Sequence, residues 1–261
     1  FMKYDILLIG GNGFVGRVLA AQLQAEGYSV LLPTRHLASA RDLRMLPKVH
    51  LEDGDVHEFD ALQELCSRIK PGGAVINLVG VLHDKPAQPY GKVFEAAHVE
   101  LPKNIMTAMQ MHGLKRYLHM SALGADSNGP SMYQRSKGDG EAAVRASGLD
   151  WTIFRPSVIF GQEDQFINLF ANLAKIFPVI PLANSQALFQ PVSVNDVAAV
   201  FVAAITMKQT IHQTYSLVGP EVLSMAELVR FAALKAQTTT RVIPMPAFVG
   251  YLQALMFEFL P

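Results

Sequence analysis

The sequence has 261 residues, 50% of them hydrophobic and 17% charged, which suits an α/β domain with a smaller addition and excludes a disordered chain. Its 22 Lys and Arg residues balance 22 Asp and Glu residues, so there is no basic field and we predict no nucleic-acid partner. The single cysteine, Cys66, excludes an internal disulfide and indicates a reducing compartment, the cytoplasm. The eight histidines lack the spacing of metal ligands, so we predict no metal site.

The first half of the chain alternates between short apolar runs and helix-length segments. The predicted strands are Ile6–Ile9, Val30–Leu32, Val49–Leu51, Val75–Val79 and Tyr117–Met120. The predicted helices between them are Val15–Glu26, Ala38–Leu46, Asp60–Ile69 and Val93–His112. Alternation at this spacing is typical of a parallel sheet covered by helices on both faces, the doubly wound Rossmann arrangement. Pro102 predicts a kink in the fourth helix.

The second half continues this pattern and then loosens. The predicted elements are a helix over Ser131–Ala146, a strand over Trp151–Phe154, a helix over Phe166–Ile176, a turn capped by Asp196 with a helix over Val197–Ile205, a strand over Tyr215–Val218, and a helix from Met225 with a capping box formed by Ser224 and Glu227. We predict a Rossmann domain over residues 1–155, with 190–210 returning to it. Residues 156–189 and 211–261 then form a small C-terminal α/β appendage.

A glycine-rich turn directly follows the first predicted strand and leads into the first helix. Glycines there let the pyrophosphate of a dinucleotide approach the main chain, and the helix N-terminus directs free N–H groups at the anion. The position of the turn between a strand and a helix is the context that this signature requires. The predicted cofactor-binding residues of the turn are Gly10, Asn12, Gly13, Phe14, Val15 and Gly16.

The residues after the second strand indicate which dinucleotide binds. An NAD-specific site usually has an acid there for the ribose 2′-hydroxyl, but this strand runs into Arg35. A guanidinium can pair with a 2′-phosphate through two hydrogen bonds, so we predict NADP(H) as the cofactor. Arg17 and Arg41 are further candidates for the same phosphate, and a solvated surface position for Arg35 is the alternative.

Other strand ends supply the remaining predicted cofactor contacts. Asp55 follows the third strand, where an acid would hydrogen-bond the adenine amino group while Val56 packs on the ring. Asn77 and Gly80 follow the fourth strand, where a glycine would admit the nicotinamide ribose. Pro156, at the end of the strand that begins at Trp151, completes the predicted cofactor set. Ordinary strand-end loop chemistry is the alternative for these positions.

Tyr133 and Lys137 form a Y-x-x-x-K pattern on the fifth predicted helix, where positions i and i+4 share a face. The Lys137 ammonium would also reach the cofactor ribose and would lower the pKa of the phenol, letting Tyr133 act as a general acid or base. Ser121, at the end of the fifth strand, would hold a substrate carbonyl or hydroxyl. These three residues are the predicted catalytic set, and a chance occurrence of the pattern is the alternative.

Together these motifs resemble the extended short-chain dehydrogenase/reductases, and more narrowly the atypical group containing the NADPH-binding accessory subunit of respiratory complex I and its bacterial relatives. The stretches that carry the resemblance are Gly10–Gly16, Ser121–Leu123, Tyr133–Lys137, Arg155–Asp164, Gln190–Val197 and Val218–Pro220. The resemblance covers nearly the whole chain, and the Phe-Gly-x-Glu-Asp part of Arg155–Asp164 is its most specific piece. It implies firmly bound NADPH and a chain that continues past Pro261.

Two positions depart from the resembled enzymes. The Asn that they carry in the fourth helix is replaced by His98, and Ser121 lies only twelve residues before Tyr133. Because the Asn organises a proton-relay water in those enzymes, its absence predicts slow turnover.

The predicted function is an NADP-dependent oxidoreductase acting on a small-molecule carbonyl, alcohol or quinone-related substrate. A non-catalytic NADPH-binding accessory or assembly protein of a respiratory or quinone-biosynthesis complex is one alternative, and a nucleotide-sugar epimerase or dehydratase is another. No apolar run reaches the roughly 18–20 residues of a membrane span. The segment Ala247–Leu260 has one charge, Glu258, and predicts either a core helix or a surface that docks on a membrane or respiratory complex. In the second case the protein would lie in the cytoplasm, peripheral to the inner membrane.

Overall fold

The computed structural model of the protein describes residues 2–245, and their contacts divide the chain into two units. The first unit runs to Pro156 and resumes over Val194–Leu217, and the second comprises Ser157–Ser193 and continues from Val218. The sequence prediction places residues 211–217 in the appendage. They belong instead to the first unit, because Gln213–Leu217 pairs in parallel with the strand that ends at Pro156. Residues 190–193, predicted to return to the Rossmann domain, belong to the second unit, because Val192 and Ser193 pair with Ile159 and Phe160.

The strands and helices alternate along most of the chain. The strands are β1 (Tyr4–Ile9), β2 (Val30–Thr34), β3 (Val49–Asp53), β4 (Ile69–Asn77), β5 (Arg116–Met120), β6 (Asp150–Pro156), β7 (Ile159–Phe160), β8 (Val179–Ala183), β9 (Leu188–Phe189), β10 (Val192–Ser193), β11 (Gln213–Leu217), β12 (Leu223–Ser224) and β13 (Arg241–Met245). The α-helices are α1 (Phe14–Ala25), α2 (Phe59–Ser67), α3 (Lys92–Glu95), α4 (Leu101–Met111), α5 (Met132–Arg145), α6 (Phe166–Ile176), α7 (Val194–Thr206) and α8 (Met225–Lys235).

The first unit is built on a seven-stranded parallel sheet in the order β11-β6-β5-β4-β1-β2-β3. Leu7, Leu31 and Ile76 in its central strands have no exposed surface, as expected for a parallel sheet that helices cover on both faces. The predicted Rossmann arrangement is therefore confirmed. The strand order reverses at β1, and in such sheets ligands bind at the carboxyl ends of the strands beside this reversal.

Two predicted helices differ from the observed ones. The segment Leu37–Met45 forms 3₁₀ turns instead of an α-helix, because the backbone of Ala40 leaves the helical region. The predicted helix over Asp60–Ile69 ends at Ser67, since Ile69 already pairs with Tyr4 as the first residue of β4.

The fourth helical segment contains the irregularity that Pro102 predicts. A π-helical turn over Ala96–Glu100 separates α3 from α4, and Pro102 lies in the first turn of α4. Proline has no N–H to donate to the carbonyl of His98 four residues earlier, which explains a wider turn at this point.

In the second unit, α6 and α8 pack on each other around a small apolar core that includes Ile180 and Val229. Asp164 stabilises the Phe-Gly-x-Glu-Asp loop and joins it to α6. Its carboxylate accepts hydrogen bonds from the N–H of Gly161 in the loop (3.3 Å) and from the N–H of Ile167 at the start of α6 (2.5 Å). This motif is thus a helix-starting loop.

The two predicted helix starts behave differently. The capping box of Ser224 and Glu227 is confirmed, with the Ser224 side chain accepting from the Glu227 N–H. The predicted cap at Asp196 is wrong, because α7 begins at Val194 and Asp196 lies within its first turn. There its carboxylate stabilises the helix by interacting with the positive end of the helix dipole.

Candidate cofactor and catalytic site

The glycine-rich turn joins β1 to α1 at the strand-order reversal. Gly10 has φ of +80°, a left-handed conformation that favours glycine, and a Cβ on Gly16 would lie 2.4 Å from the Cα of Gly11. Gly13 begins the helix without a side-chain cap, and no acidic residue lies in the first turn of α1. The N-terminal N–H groups of α1 are therefore suited to an anion.

An open cleft of about 170 Å³ adjoins this turn in the first unit. Six of the predicted cofactor residues line it together: Gly10, Asn12, Gly13, Arg35, Asp55 and Val56. The sequence prediction did not include six further lining residues: Pro33, Thr34, His36, Gly54, His57 and Val79. Five of these lie at the end of a strand or up to two residues beyond it, and His57 follows β3 by four residues, so the strand boundaries were a signal for the five.

Arg35 and Asp55 both line the cleft and form an ion pair. Their side chains are 61% and 36% exposed, and Arg35 Nη1 lies 3.7 Å from Asp55 Oδ2. An exposed ion pair of this kind contributes at most about 1 kcal/mol, so an incoming anion competes easily for the guanidinium.

Arg17 is already engaged within the protein. Its guanidinium donates to the Oδ1 of Asn12 (2.7 Å) and the carbonyl of Ser39 (2.6 Å), and it forms an ion pair with Asp42. The hydrogen bond from Arg17 lowers the pKa of Asp42. This side chain therefore supports the glycine turn and has less freedom than Arg35 to bind a phosphate.

Asn77 has partners that its sequence position does not reveal. Its side chain is fully buried, donating to the hydroxyl of Tyr117 (3.2 Å) and accepting from the N–H of Val79 (3.0 Å). The Tyr117 hydroxyl also lies 3.2 Å from His119 Nδ1. The amide of Asn77 thus shapes the end of β4 and is not directed at a ligand.

Tyr133 and Lys137 project from α5, whose first turn is fixed by a capping box between Ser131 and Gln134. The Lys137 side chain is 3% exposed, and its Nζ lies 3.4 Å from the carbonyl of Met120 at the end of β5. A Cβ on Gly80 would lie 3.2 Å from this Nζ, so the glycine leaves room for the ammonium beside the end of β4.

Burial changes the acidity of this pair. It lowers the pKa of Lys137 to about 8, with Glu141 acting in the opposite direction. It raises the pKa of the Tyr133 phenol above its usual value. Without cofactor, therefore, the phenol holds its proton at neutral pH and Lys137 is mostly charged.

Ser121 lies in a different environment from the predicted one. It is 4% exposed and its hydroxyl makes no hydrogen bond of standard geometry, although it lies close enough to Glu141 to lower the pKa of that carboxyl. Glu141 is fully buried and accepts from Arg155 (2.6 and 2.7 Å) and Arg145 (2.7 Å). Burial tends to raise the pKa of Glu141, but Arg155, Ser121 and Arg145 together lower it. Ser121 thus adjoins a buried ion cluster.

The remaining predicted residues are placed as follows. Pro156 is buried, and its carbonyl accepts from the N–H of Leu123 at 2.9 Å. Phe14 and Val15 form the first turn of α1.

Within residues 2–245, no group of three or more His, Cys, Asp or Glu side chains is arranged to hold a metal ion. Among the same residues, no helix combines the length and the apolar composition of a membrane span. The predicted docking segment Ala247–Leu260 lies outside the described residues.

Comparison with known sequences identifies the family of the chain. The sequence profile of the NAD dependent epimerase/dehydratase family matches residues 6–218. The mouse (Mus musculus) protein named NADH dehydrogenase (ubiquinone) 1 alpha subcomplex subunit 9, mitochondrial, is 31% identical over 93% of this chain and 64% of its own length. The chain therefore spans less than two thirds of that relative's length. These matches confirm the resemblance that the motifs predict.

An enzyme and a solved structure are also similar. The NAD(P)H azoreductase of Xenophilus azovorans is 26% identical over 88% of this chain and 73% of its own length. The crystal structure of Thermus thermophilus UDP-glucose 4-epimerase in complex with NAD has a TM-score of 0.77 and 19% identity, covering 92% of this chain and 86% of that one. At that identity the structural likeness shows the fold alone.

Proposed function

Since this chain belongs to the NAD-dependent epimerase/dehydratase family, we propose that it binds NADP(H) and reduces a small carbonyl- or quinone-type substrate, with Tyr133 as the proton donor. The observation that carries this proposal is the placement of Tyr133 and Lys137. Both lie on α5 in the first unit, and the Lys137 ammonium reaches Gly80 at the carboxyl end of β4.

The residues present fit a dinucleotide. Gly16 allows α1 to pack against the glycine turn, and Gly80 leaves space in front of Lys137 that a Cβ would fill. The phosphates would bind at the N-terminus of α1. The adenine amino group would hydrogen-bond Asp55, and the adenine ring would pack on Val56. The nicotinamide ribose would lie beside Gly80 and Lys137.

Three features favour NADP(H) over NAD(H). β2 ends without an acid for a ribose 2′-hydroxyl, Arg35 lines the cleft directly after it, and the guanidinium is largely exposed. A 2′-phosphate could replace Asp55 as its partner through two charge-assisted hydrogen bonds.

The chemistry follows from the acid–base state of the pair. When bound beside Gly80 and Lys137, NADPH would supply the hydride that a carbonyl carbon accepts. Tyr133 donates its proton to the carbonyl oxygen, and Lys137 stabilises the resulting phenolate. Because the buried phenol is protonated before reaction, the resting site is prepared for reduction.

The proposal is tested by measuring NADPH oxidation with a panel of ketones, aldehydes, quinones and azo compounds. At least one of these compounds should give a turnover that depends on the Tyr133 hydroxyl. If the parent protein turns over a compound and Tyr133→Phe retains that rate, Tyr133 is not the proton donor.

One observation favours a second candidate function, a non-catalytic NADPH-binding accessory protein. The Ser121 hydroxyl is almost fully buried and makes no hydrogen bond of standard geometry, so a substrate oxygen has little access to it. The mouse relative is named as a subunit of an NADH dehydrogenase (ubiquinone) subcomplex, which supports this candidate. Firm NADPH binding without oxidation by any compound of the panel would support it over the reductase.

A further inference from the structure

His98 lies between the turn that follows β4 and the helix that carries Tyr133. Its side chain is only 1% exposed. Its Nε2 accepts a hydrogen bond from the N–H of Val81 at 3.1 Å. Its Nδ1 lies 2.8 Å from the hydroxyl of Ser136, which in turn donates to the carbonyl of Tyr133 at 3.0 Å. The imidazole therefore links two segments of backbone.

These bonds determine the protonation of the ring. Because Nε2 accepts from Val81, the ring proton is on Nδ1, which donates to Ser136. Burial, followed by the nearby charge of Lys137, lowers the pKa of His98 to about 3. One neutral tautomer is therefore present at physiological pH.

The ring is also held by its neighbours. Phe94 stacks on it with a centroid distance of 5.2 Å, and Tyr133 meets it edge-on at 5.5 Å. The backbone of His98 belongs to the π turn and packs tightly on α5, where a Cβ on Gly140 would lie 2.1 Å from the His98 carbonyl oxygen. The imidazole thus has a fixed position from which to orient the Val81 N–H.

We infer that His98 is a positioning residue that holds the Val81 turn, and with it Gly80, against the helix of Tyr133 and Lys137. A Cβ on Gly80 would lie 3.9 Å from His98 Nε2 and 3.2 Å from Lys137 Nζ, so both side chains border the same small space. This inference rests on the proposed function, which places the nicotinamide end of NADP(H) in that space. The Asn that the resembled enzymes carry here has no ring to stack in this way.

The test compares two ligands that share the adenine end. NADPH reaches the Gly80 space, whereas adenosine 2′,5′-bisphosphate extends only to the cleft beside Arg35. His98→Phe keeps a ring for stacking but leaves the Val81 N–H without its acceptor, which should weaken NADPH binding by roughly tenfold. Binding of the bisphosphate should not change. His112→Phe, an exposed histidine at the end of α4, is the matched control and should leave both affinities unchanged.

An unchanged NADPH affinity in His98→Phe would overturn the inference, as would an equal loss for both ligands. If His98→Phe does not fold, Ser136→Ala removes only the link to Tyr133 and should weaken NADPH selectively by a few-fold. A Ser136→Ala protein that binds both ligands like the parent would also contradict the inference.

If the parent binds neither ligand, the proposed function fails and hydrogen exchange decides the inference by itself. The Val81 amide should exchange slowly in the parent and in His112→Phe, and at least tenfold faster in His98→Phe. Equally slow exchange in all three proteins would show that His98 does not hold this turn.

Discussion

The two units of the chain place their apolar side chains differently. In the first unit the central strands β1 and β2 are almost entirely buried, and Tyr133, Lys137 and Arg35 lie towards the carboxyl ends of the sheet strands. In the second unit, Leu188, Ile176 and Leu234 are 72%, 71% and 71% exposed. The first unit therefore contains the groups suited to nucleotide binding and proton transfer, while the second presents apolar surface around a smaller core.

Turnover should be the property most sensitive to a single substitution in the first unit. Tyr133→Phe removes one hydroxyl and retains the ring, so the rate of NADPH oxidation should fall by roughly 10²–10⁴ while NADPH affinity stays within about twofold. Steady-state kinetics and a binding titration measure the two quantities. Tyr215→Phe, an exposed tyrosine of β11, is the matched control. A similar loss in both variants would place the effect outside proton transfer.

The second prediction concerns the buried charge of Lys137. Its pKa is about 8 in the folded protein against 10.5 for the free side chain, so the unfolded chain binds more protons between these values and stability rises with pH there. At pH 7 the charge opposes folding by up to about 3 kcal/mol. Lys137→Met, without cofactor, should therefore be more stable than the parent at pH 7, and the difference should shrink as the pH approaches 10.5.

Urea unfolding at several pH values measures this difference, and Lys103→Met on the exposed face of α4 is the control. A Lys137→Met protein that is less stable than the parent at pH 7 would show that the ammonium has stabilising partners inside the first unit. The same substitution should weaken NADPH binding, because the ribose loses its contact with the ammonium.

Cofactor preference should respond to Arg35 by a smaller amount. The parent should bind NADPH at least tenfold more tightly than NADH, about 1.4 kcal/mol, and Arg35→Ala should remove most of that preference. Titration of both nucleotides into both proteins, with the exposed Arg44→Ala as control, measures the effect. Equal affinities in the parent would contradict the proposed role of the guanidinium.

The smallest effect separates the two units directly. Ser224→Ala and Ser131→Ala each remove a capping box, at α8 and α5 respectively, and each should lower stability by about 1 kcal/mol. Because α5 carries Tyr133, only Ser131→Ala should also reduce turnover. Thermal unfolding and NADPH oxidation would show this, and reduced turnover in Ser224→Ala would assign part of the chemistry to the second unit.

Local features of the site were readable from the sequence. The glycine turn, the Arg35 position and the Tyr133–Lys137 pair depend on residues a few positions apart, and a strand or helix fixes their relative placement. The sheet of the first unit was predictable for the same reason, since its strands appear in the sequence as short apolar runs.

Features that depend on distant partners were not readable. Asn77 bonds Tyr117 forty residues later, Arg17 pairs with Asp42, and Ser121 adjoins Glu141 on another element. The role of His98 was hidden in the same way, because it depends on Val81 and the helix of Tyr133 meeting around one ring. No local pattern encodes which of several polar side chains the fold will bring together.

A crystal structure of the complex with NADP⁺ would show where each part of the nucleotide binds. We expect the 2′-phosphate within hydrogen-bonding distance of Arg35, the pyrophosphate at the N-terminus of α1, and the nicotinamide ribose beside Lys137 and Gly80. A nucleotide bound elsewhere, or one whose nicotinamide lies away from Tyr133, would contradict it.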